Sequence, residues 1–203
     1  MIMTLEDYFD QRYQALEQVF LEKTQGYLEE NKNQILNYLV KNTTDILKNA
    51  LKTQETTAIP CGYLSFSLLL TSVMENKPKL QVDLYNGEWV YGEPWERGKI
   101  DAEFLFKYWE ELKSAALDDA YFVRSRISSA MIKTFFYDTL DELTYLFAVY
   151  MKKYGENFGK ISEFDEMKKE RPAYITVGTY FDWQERIFVV NDDENRVVLA
   201  EEG

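Results

Sequence analysis

The sequence contains no histidine, and this absence limits its chemistry more than any residue that is present. Histidine is the commonest general acid or base near neutral pH and the commonest metal ligand. Its absence excludes Ser-His and Cys-His nucleophilic dyads and every zinc or iron site that uses histidine. A carboxylate mechanism, a lysine mechanism, a hard-cation oxygen site and a non-catalytic role all stay open.

Cysteine and basic residues are also scarce. Cys61 is the only cysteine, so an internal disulfide cannot form, which favours the reducing cytoplasm. The 23 basic and 35 acidic side chains give a net charge of −12. Because this charge repels phosphate backbones and anionic lipid headgroups, we expect neither nucleic acid nor a membrane as a partner. Residues 161–203 hold 11 acidic and 5 basic side chains, a net of −6, so a basic partner would meet this part first.

Motifs for cofactors and targeting are missing as well. Residues 1–8 lack the positive and apolar regions of a signal peptide, and the apolar run over residues 63–73 is too short to span a bilayer. The sequence has no glycine-rich phosphate loop and no Ser-x-x-Lys signature. We therefore expect no cofactor and no metal, and we favour a non-enzymatic role while leaving enzymatic activity open.

The order of local patterns predicts one α+β domain over residues 1–203. Apolar residues make up 46% of the chain, which is enough to build a core. Helices and hairpins come in separate groups, as in α+β folds. Each hairpin group is too small to be stable alone, so we expect both to join in one antiparallel sheet with central buried helices on one face. The predicted segments are N-terminal helices over 1–56, a first hairpin group over 62–92, a helical segment over 101–171 and a second hairpin group over 173–200.

Hydrophobic periodicity locates the helices within these segments. Apolar residues at three- and four-residue steps predict a helix over residues 4–22 and a second helical stripe that continues to about Lys52. A further helix is expected to be capped by Asp101. Residues 119–154 are apolar over most of the helix circumference, with a break near Tyr137 to Thr139 and a new start capped by Thr139. A short helix is expected to begin at Ser162.

Alternating apolar and polar residues predict the strands. Such alternation begins at Tyr63 and recurs over residues 80–84. Asn86-Gly87 predicts a type I′ turn that joins the second of these strands to residues 88–91, with a loop over 92–99. Two final hairpins are predicted from Tyr174–Phe181, Arg186–Val190 and Arg196–Leu199.

The segment from Glu88 to Trp109 is the candidate binding region. It holds three of the four tryptophans, with carboxylates and an arginine between them. Aromatic faces beside carboxylates can hold a sugar, a cationic group or a peptide. The alternative is that these tryptophans only pack to close the core. The candidate ligand- or partner-binding residues are Trp89, Tyr91, Glu93, Trp95 and Arg97.

These observations favour a non-enzymatic interaction or regulatory module whose acidic surface binds another protein, a basic one being the complementary choice. The alternative is a small-molecule site near Trp89–Trp109 for a sugar, cationic or peptide ligand, or a hydrolytic site. A hydrolytic site would use a carboxylate pair from Glu88, Glu93 and Glu96. The helices over residues 4–52 would also allow a homo-oligomer, if their apolar stripes are buried against a second copy.

Overall fold

The computed structural model describes residues 5–122, 128–180, 182–190 and 197–199, and it has the α+β fold that the sequence predicts. The helices are α1 (Leu5–Glu30), α2 (Lys32–Thr57), α3 (Leu70–Met74), α4 (Trp109–Phe122), α5 (Ser129–Tyr154) and α6 (Ser162–Glu166). The strands are β1 (Cys61–Leu68), β2 (Lys79–Tyr85), β3 (Glu96–Asp101), β4 (Lys169–Thr179), β5 (Gln184–Val190) and β6 (Val197–Leu199). Short 3₁₀ helices cover Trp89–Tyr91, Glu103–Leu105 and Gly155–Lys160.

The two strand groups join in one sheet, as predicted, in the order β3-β2-β1-β4-β5-β6. Neighbouring strands run antiparallel except for β1 and β4, which are parallel. The sheet is therefore mixed, and the expectation of a wholly antiparallel sheet is wrong at this one pair. Strands β1 and β4 are joined by residues 69–168. This connection is long enough to return the chain to the starting end of β1, as a parallel pair requires.

Strand alternation decides which face of the sheet meets the helices. Leu64, Phe66 and Leu68 of β1 are buried on the helical side, where the ring of Phe66 lies 5.3 Å from that of Phe158. A Cβ atom on Gly98 would lie 2.4 Å from Cδ1 of Ile46, so α2 packs directly on β3. Helices cover this face, as predicted.

The two N-terminal helices pack into the core of their own chain. Tyr13 of α1 is buried and donates a hydrogen bond from its hydroxyl to the carbonyl oxygen of Ala116 at 2.9 Å. Further along α1, the ring of Phe20 lies 5.6 Å from that of Trp109 in α4. These stripes are therefore already covered within one chain. A homo-oligomer through the N-terminal helices stays a prediction.

The predicted hairpin at Asn86-Gly87 is wrong. The residues after this turn form the 3₁₀ helix Trp89–Tyr91, and the strand that pairs with β2 is Glu96–Asp101, within the predicted loop. Trp89 leaves the strand path because its ring stacks on Tyr63, with 4.6 Å between centroids and an interplanar angle of 3°. The burial gained by this stacking outweighs the local preference of the Asn-Gly pair.

Two helix boundaries also differ from the predictions. Asp101 ends β3 and binds Lys79 at 2.6 Å instead of capping a helix, and α4 starts at Trp109. Helix α5 runs unbroken through Thr139, whose hydroxyl donates to the carbonyl oxygen of Phe135 at 2.8 Å. This bond satisfies the buried hydroxyl within the helix, so no break is needed.

The other predicted elements are present, although several boundaries shift. The helix predicted at Ser162 is α6, and β4 and β5 form a predicted hairpin. However, α1 runs to Glu30 instead of residue 22, α2 runs to Thr57 instead of Lys52, and β4 begins at Lys169 instead of Tyr174. Phe181 and Arg196, at the ends of two predicted strands, lie outside the described residues.

Candidate functional site

The face of the sheet opposite the helices, here called the open face, carries polar and aromatic side chains. Ser65 and Ser67 alternate with the core residues of β1, and strand pairing sets the other strands in register with them. Period-two alternation therefore separates an apolar face from a polar one. The open-face residues are Tyr63, Ser65, Ser67, Gln81, Asp83, Tyr85, Arg97, Lys99, Tyr174, Thr176, Gln184 and Arg186.

A buried carboxylate organises the β2–β3 side of the open face. Asp83 is fully buried and accepts hydrogen bonds from Arg97 Nε at 2.8 Å, Gln81 Nε2 at 2.8 Å and the Tyr85 hydroxyl at 3.1 Å. The carboxylate raises the pKa of the Arg97 guanidinium. Burial, and then Asp83, raise the pKa of the Tyr85 phenol. A buried charge that is paired and hydrogen-bonded in this way holds its neighbours in one geometry.

Arg97 also links this side of the sheet to the β4–β5 turn. Its Nη2 atom donates to the hydroxyl of Tyr180 at 3.1 Å, and its guanidinium carbon lies 5.9 Å from the centre of the Tyr180 ring. The side chain of Tyr180 therefore reaches across the open face from β4 toward β3.

Hydroxyl and amide groups form a second network on β1, β4 and β5. Thr176 Oγ1 lies 2.8 Å from Ser65 Oγ and 2.9 Å from Gln184 Oε1. Gln184 Nε2 donates to Ser67 Oγ at 2.9 Å. These bonds fix the orientation of both serine side chains.

A cleft with a volume of about 190 Å³ lies between these two networks. Its floor is Ser65 and Ser67, and Asp182 is the only charged group among its lining residues in the described part of the chain. Aromatic rings beside one carboxylate, with hydroxyls at the floor, suit a cationic or hydroxylated group. The remaining lining residues are Tyr85, Trp89, Tyr91, Tyr180 and Gln184.

Three stacked rings beside the cleft, Tyr63, Trp89 and Tyr174, form what we call the aromatic cradle. The ring of Tyr63 lies between Trp89 and Tyr174, with centroid distances of 4.6 and 5.2 Å. Arg186 lies on this cradle, its guanidinium carbon 4.5 Å from the centre of the Tyr174 ring and 5.5 Å from that of Trp89. Burial raises the pKa of the Tyr63 phenol, although Arg186 acts in the opposite direction.

Close backbone contacts hold Trp89 in place. Trp89 has a φ of 50°, in the left-handed region that bulky residues rarely occupy. A Cβ atom on Gly62 would lie 2.8 Å from the carbonyl of Asn86, so the loop packs directly on β1. The amide of Gly87 donates to Glu170 Oε1 at 2.7 Å. The loop is therefore anchored to both β1 and β4, and these contacts maintain a strained backbone that places the Trp89 ring on Tyr63.

The structure separates the five candidate residues. Trp89 and Tyr91 line the cleft, and Tyr91 is 95% exposed. Arg97 supports the cleft through Asp83 and Tyr180, whereas Glu93 is exposed and lies outside the lining. Trp95 packs against the core, as does the buried Trp109. Binding by these residues stays a prediction, now concentrated on Trp89 and Tyr91.

The carboxylates considered for hydrolysis do not meet in the cleft. Glu96 Oε2 accepts a hydrogen bond from Thr53 Oγ1 of α2 at 2.8 Å, and Glu88 and Glu93 are exposed and outside the lining. Burial raises the pKa of the Cys61 thiol to about 12, so this group is a poor nucleophile. In the described ranges, no three Cys, Asp or Glu side chains are grouped as they would be to hold a metal ion.

Sequence reasoning missed Asp182, Tyr180, Gln184 and Arg186. The alternation in β1 placed Ser65 and its neighbours on a common face, and this signal was available. The sequence carries no signal for the pairing of β1 with β4, and this pairing brings the β4–β5 hairpin beside the serines.

Within the part of the chain that the structure describes, each helix is too short or too polar to cross a membrane. No protein-family model matches this chain, and neither does any curated protein or solved structure.

Proposed function

We propose that this protein is a non-enzymatic binding module for a basic protein partner, and that the cleft on the open face receives a lysine or arginine side chain of that partner. The observation that supports this proposal is the lining of the cleft, where Trp89, Tyr91 and Tyr180 surround a space in which Asp182 is the one charged group among the described residues. A cation is attracted both to aromatic faces and to a carboxylate.

The size of the cleft favours an anchoring side chain over a cofactor. Its volume is about 190 Å³, whereas pockets for drug-sized ligands span roughly 300–1,000 Å³. Protein interfaces concentrate their binding energy in a few residues that fill such small pockets, and arginine is among the commonest of these.

The surrounding charge supports a basic partner. The chain carries a net charge of −12, and the carboxylate of Asp141 in α5 lies near that of Asp182 in the β4–β5 turn. Burial, followed by the nearby carboxylates of Asp182 and Asp138, raises the pKa of Asp141. A concentrated negative potential accelerates and orients association with a positive surface. The encounter would take place in the cytoplasm, where Cys61 stays reduced.

Short blocked peptides test this proposal directly. Acetyl-Gly-Arg-Gly-amide should quench tryptophan fluorescence in a saturable way, and the matched peptide with norleucine in place of arginine should not. We expect Asp182→Asn and Tyr91→Ala each to lower the affinity for the arginine peptide by about fivefold or more, because each removes part of the cation site.

Glu93→Gln is the matched control, because it removes one exposed carboxylate from the neighbouring loop without touching the cleft. It should leave the affinity within about twofold, which is the range of a screened surface charge. If Glu93→Gln and Asp182→Asn lower the affinity for the arginine peptide equally, binding depends only on the overall charge of the protein. Absence of saturable binding to the arginine peptide would refute the role of the cleft.

A second candidate function is the binding of a small cationic or hydroxylated molecule in the same cleft. The observation in its favour is that Ser65, Ser67 and Gln184 are held in fixed orientations at the floor, as polar groups are in small-molecule sites. Thermal-shift measurements with sugars and cationic metabolites test it, because a ligand stabilises the folded state as its concentration exceeds its Kd. A flat response across both classes would reject this candidate.

A further inference from the structure

We propose that Arg186, held on the aromatic cradle, is a carboxylate-binding site beside the cleft, so that the docked segment carries a carboxylate next to its basic side chain. The inference deepens the proposed function and rests on it for the cationic half of the ligand. The carboxylate half stands on the geometry of Arg186 itself.

Arg186 lies close to the three cradle rings and is exposed to solvent. The guanidinium carbon lies 4.5, 5.5 and 6.0 Å from the ring centres of Tyr174, Trp89 and Tyr63. The five N–H donors of an arginine point outward in the plane of the group, in a fork that matches a carboxylate. One hydrogen bond joins the side chains of Arg186 and Tyr63, which leaves further donors at the edge.

Arg186 differs from the other open-face arginine in its partners. Arg97 pairs with the buried Asp83 at 2.8 Å, whereas Arg186 is exposed and makes no ion pair with a carboxylate among the described residues. The adjacent Glu185 binds Lys152 instead, at 3.9 Å. In a chain with 35 acidic side chains, an arginine that has no carboxylate partner among the described residues keeps its charge available for an anion.

The position of the guanidinium is set before any ligand arrives. The strained backbone of Trp89 and the packing of Asn86 on Gly62 hold the cradle in place. Long side chains usually lose rotamer freedom when they bind, and prior immobilisation on the rings reduces that cost.

The carboxylate site and the cleft are close enough for one ligand. Gln184, which lines the cleft, and Arg186 are alternate residues of β5 on the same face, about 6–7 Å apart along the strand. Trp89 borders both sites. This spacing matches a basic residue whose side chain enters the cleft while a carboxylate near its backbone reaches Arg186. The carboxylate is either the chain-end group of a C-terminal lysine or arginine, or the side chain of an adjacent Asp or Glu.

Three small probes at constant ionic strength test the inference on the full chain. They are N-acetyl-arginine, its amide, and acetyl-Arg-Asp-amide, followed by NMR through the Nε–H signal of Arg186 and the indole N–H signal of Trp89. The free acid should bind at least about tenfold more tightly than the amide, since only the acid forms the paired, charge-assisted bonds. Tight binding of acetyl-Arg-Asp-amide would assign the carboxylate to a side chain, and weak binding would assign it to a chain end.

Variants separate this site from general attraction. Arg186→Gln should abolish the difference between acid and amide, and Arg186→Lys should reduce it, because lysine keeps the charge and loses the fork. Lys99→Gln is the matched control, since it removes one exposed positive charge from the same face and should preserve the difference. Equal binding of acid and amide to the wild-type protein, or equal effects of Lys99→Gln and Arg186→Gln, would overturn the inference.

Sodium acetate distinguishes failure here from failure of the proposed function. If no arginine probe binds, the cationic half is wrong, and acetate then tests Arg186 alone. A saturable acetate-dependent shift of the Arg186 Nε–H signal that chloride does not reproduce would support the carboxylate site. In Arg186→Lys, acetate binding is followed through the indole signal of Trp89, and its midpoint should lie at a higher acetate concentration. A linear shift identical to that with chloride would refute it.

Discussion

Removal of the Arg97 guanidinium is expected to destabilise the fold, because it leaves the Asp83 carboxylate buried without its cation. The Asp83 side chain is only 1% exposed, and that of Arg97 is 42% exposed. The substitution Arg97→Met keeps the apolar stem that lies on the sheet and removes only the charged head.

The magnitude follows from what remains around Asp83. Removal of one partner from a fully buried ion pair costs about 3–5 kcal/mol. Gln81 and Tyr85 still donate to Asp83 in the variant, and water can enter where the half-exposed guanidinium was. We therefore expect a loss of about 2–3 kcal/mol, or about 4–12 °C in Tm for a chain of this size.

A double-mutant cycle gives the decisive measurement. Asp83→Asn removes the charge but keeps the shape, and should cost about 1–2 kcal/mol in urea unfolding followed by far-UV circular dichroism. The double variant Asp83→Asn/Arg97→Met should cost at least about 1 kcal/mol less than the sum of the single variants. Lys99→Met, on the same strand and face, is the control and should stay within about 0.5 kcal/mol of wild type. Strict additivity, or an Arg97→Met variant as stable as the control, would refute the reasoning.

Three further predictions concern other parts of the molecule. Burial raises the pKa of Cys61 from 9.0 to about 12. At pH 8 the ionised fraction of Cys61 should therefore be roughly a thousandfold lower in the folded protein than in the unfolded protein. Rapid alkylation of the native protein by iodoacetamide would contradict this. Gly178→Ala should cost about 1–3 kcal/mol in the urea assay, because its Cβ would lie 2.0 Å from the Trp183 carbonyl oxygen; an unchanged midpoint would contradict that close approach. Burial and the neighbouring carboxylates raise the pKa of Asp141. When the pH rises above the ordinary pKa of an aspartate, ionisation of Asp141 therefore opposes folding. Asp141→Asn should stabilise the protein at pH 7. Solvent screening limits this gain to about 0.5 kcal/mol, and thermal unfolding should show it disappearing below about pH 4.

Helices and strands whose apolar residues recur at a regular period could be predicted from the sequence, and those without such a pattern could not. The stripes of α1 and α2 and the alternation in β1 are dense in apolar residues, so a single face stands out. In β3 the helix-facing positions are Glu96, Gly98 and Ile100, and only the last is a large apolar residue. Gly98 is required because Ile46 occupies the space of its side chain, and this contact depends on where α2 packs.

The candidate site was predictable in part for the same reason. Tryptophans beside carboxylates drew attention to Trp89, but its partner Tyr63 lies in another strand and its position depends on a loop with positive φ. Asp182 and Arg186 reach the site only through the pairing of β4 with β1 and β5. Local patterns carry no information on such a long-range register.

The central pair β1 and β4 has a consequence for how the chain must be made. Strand β1 has its second neighbour only when Lys169–Thr179 is present, so a nascent polypeptide cannot complete its sheet until synthesis has passed that segment. A fragment ending before residue 169 would leave an unsatisfied ladder of backbone amides and carbonyls beside Leu64 and Phe66, where another chain could add a strand. Premature termination in this protein should therefore yield insoluble aggregates instead of a smaller working unit.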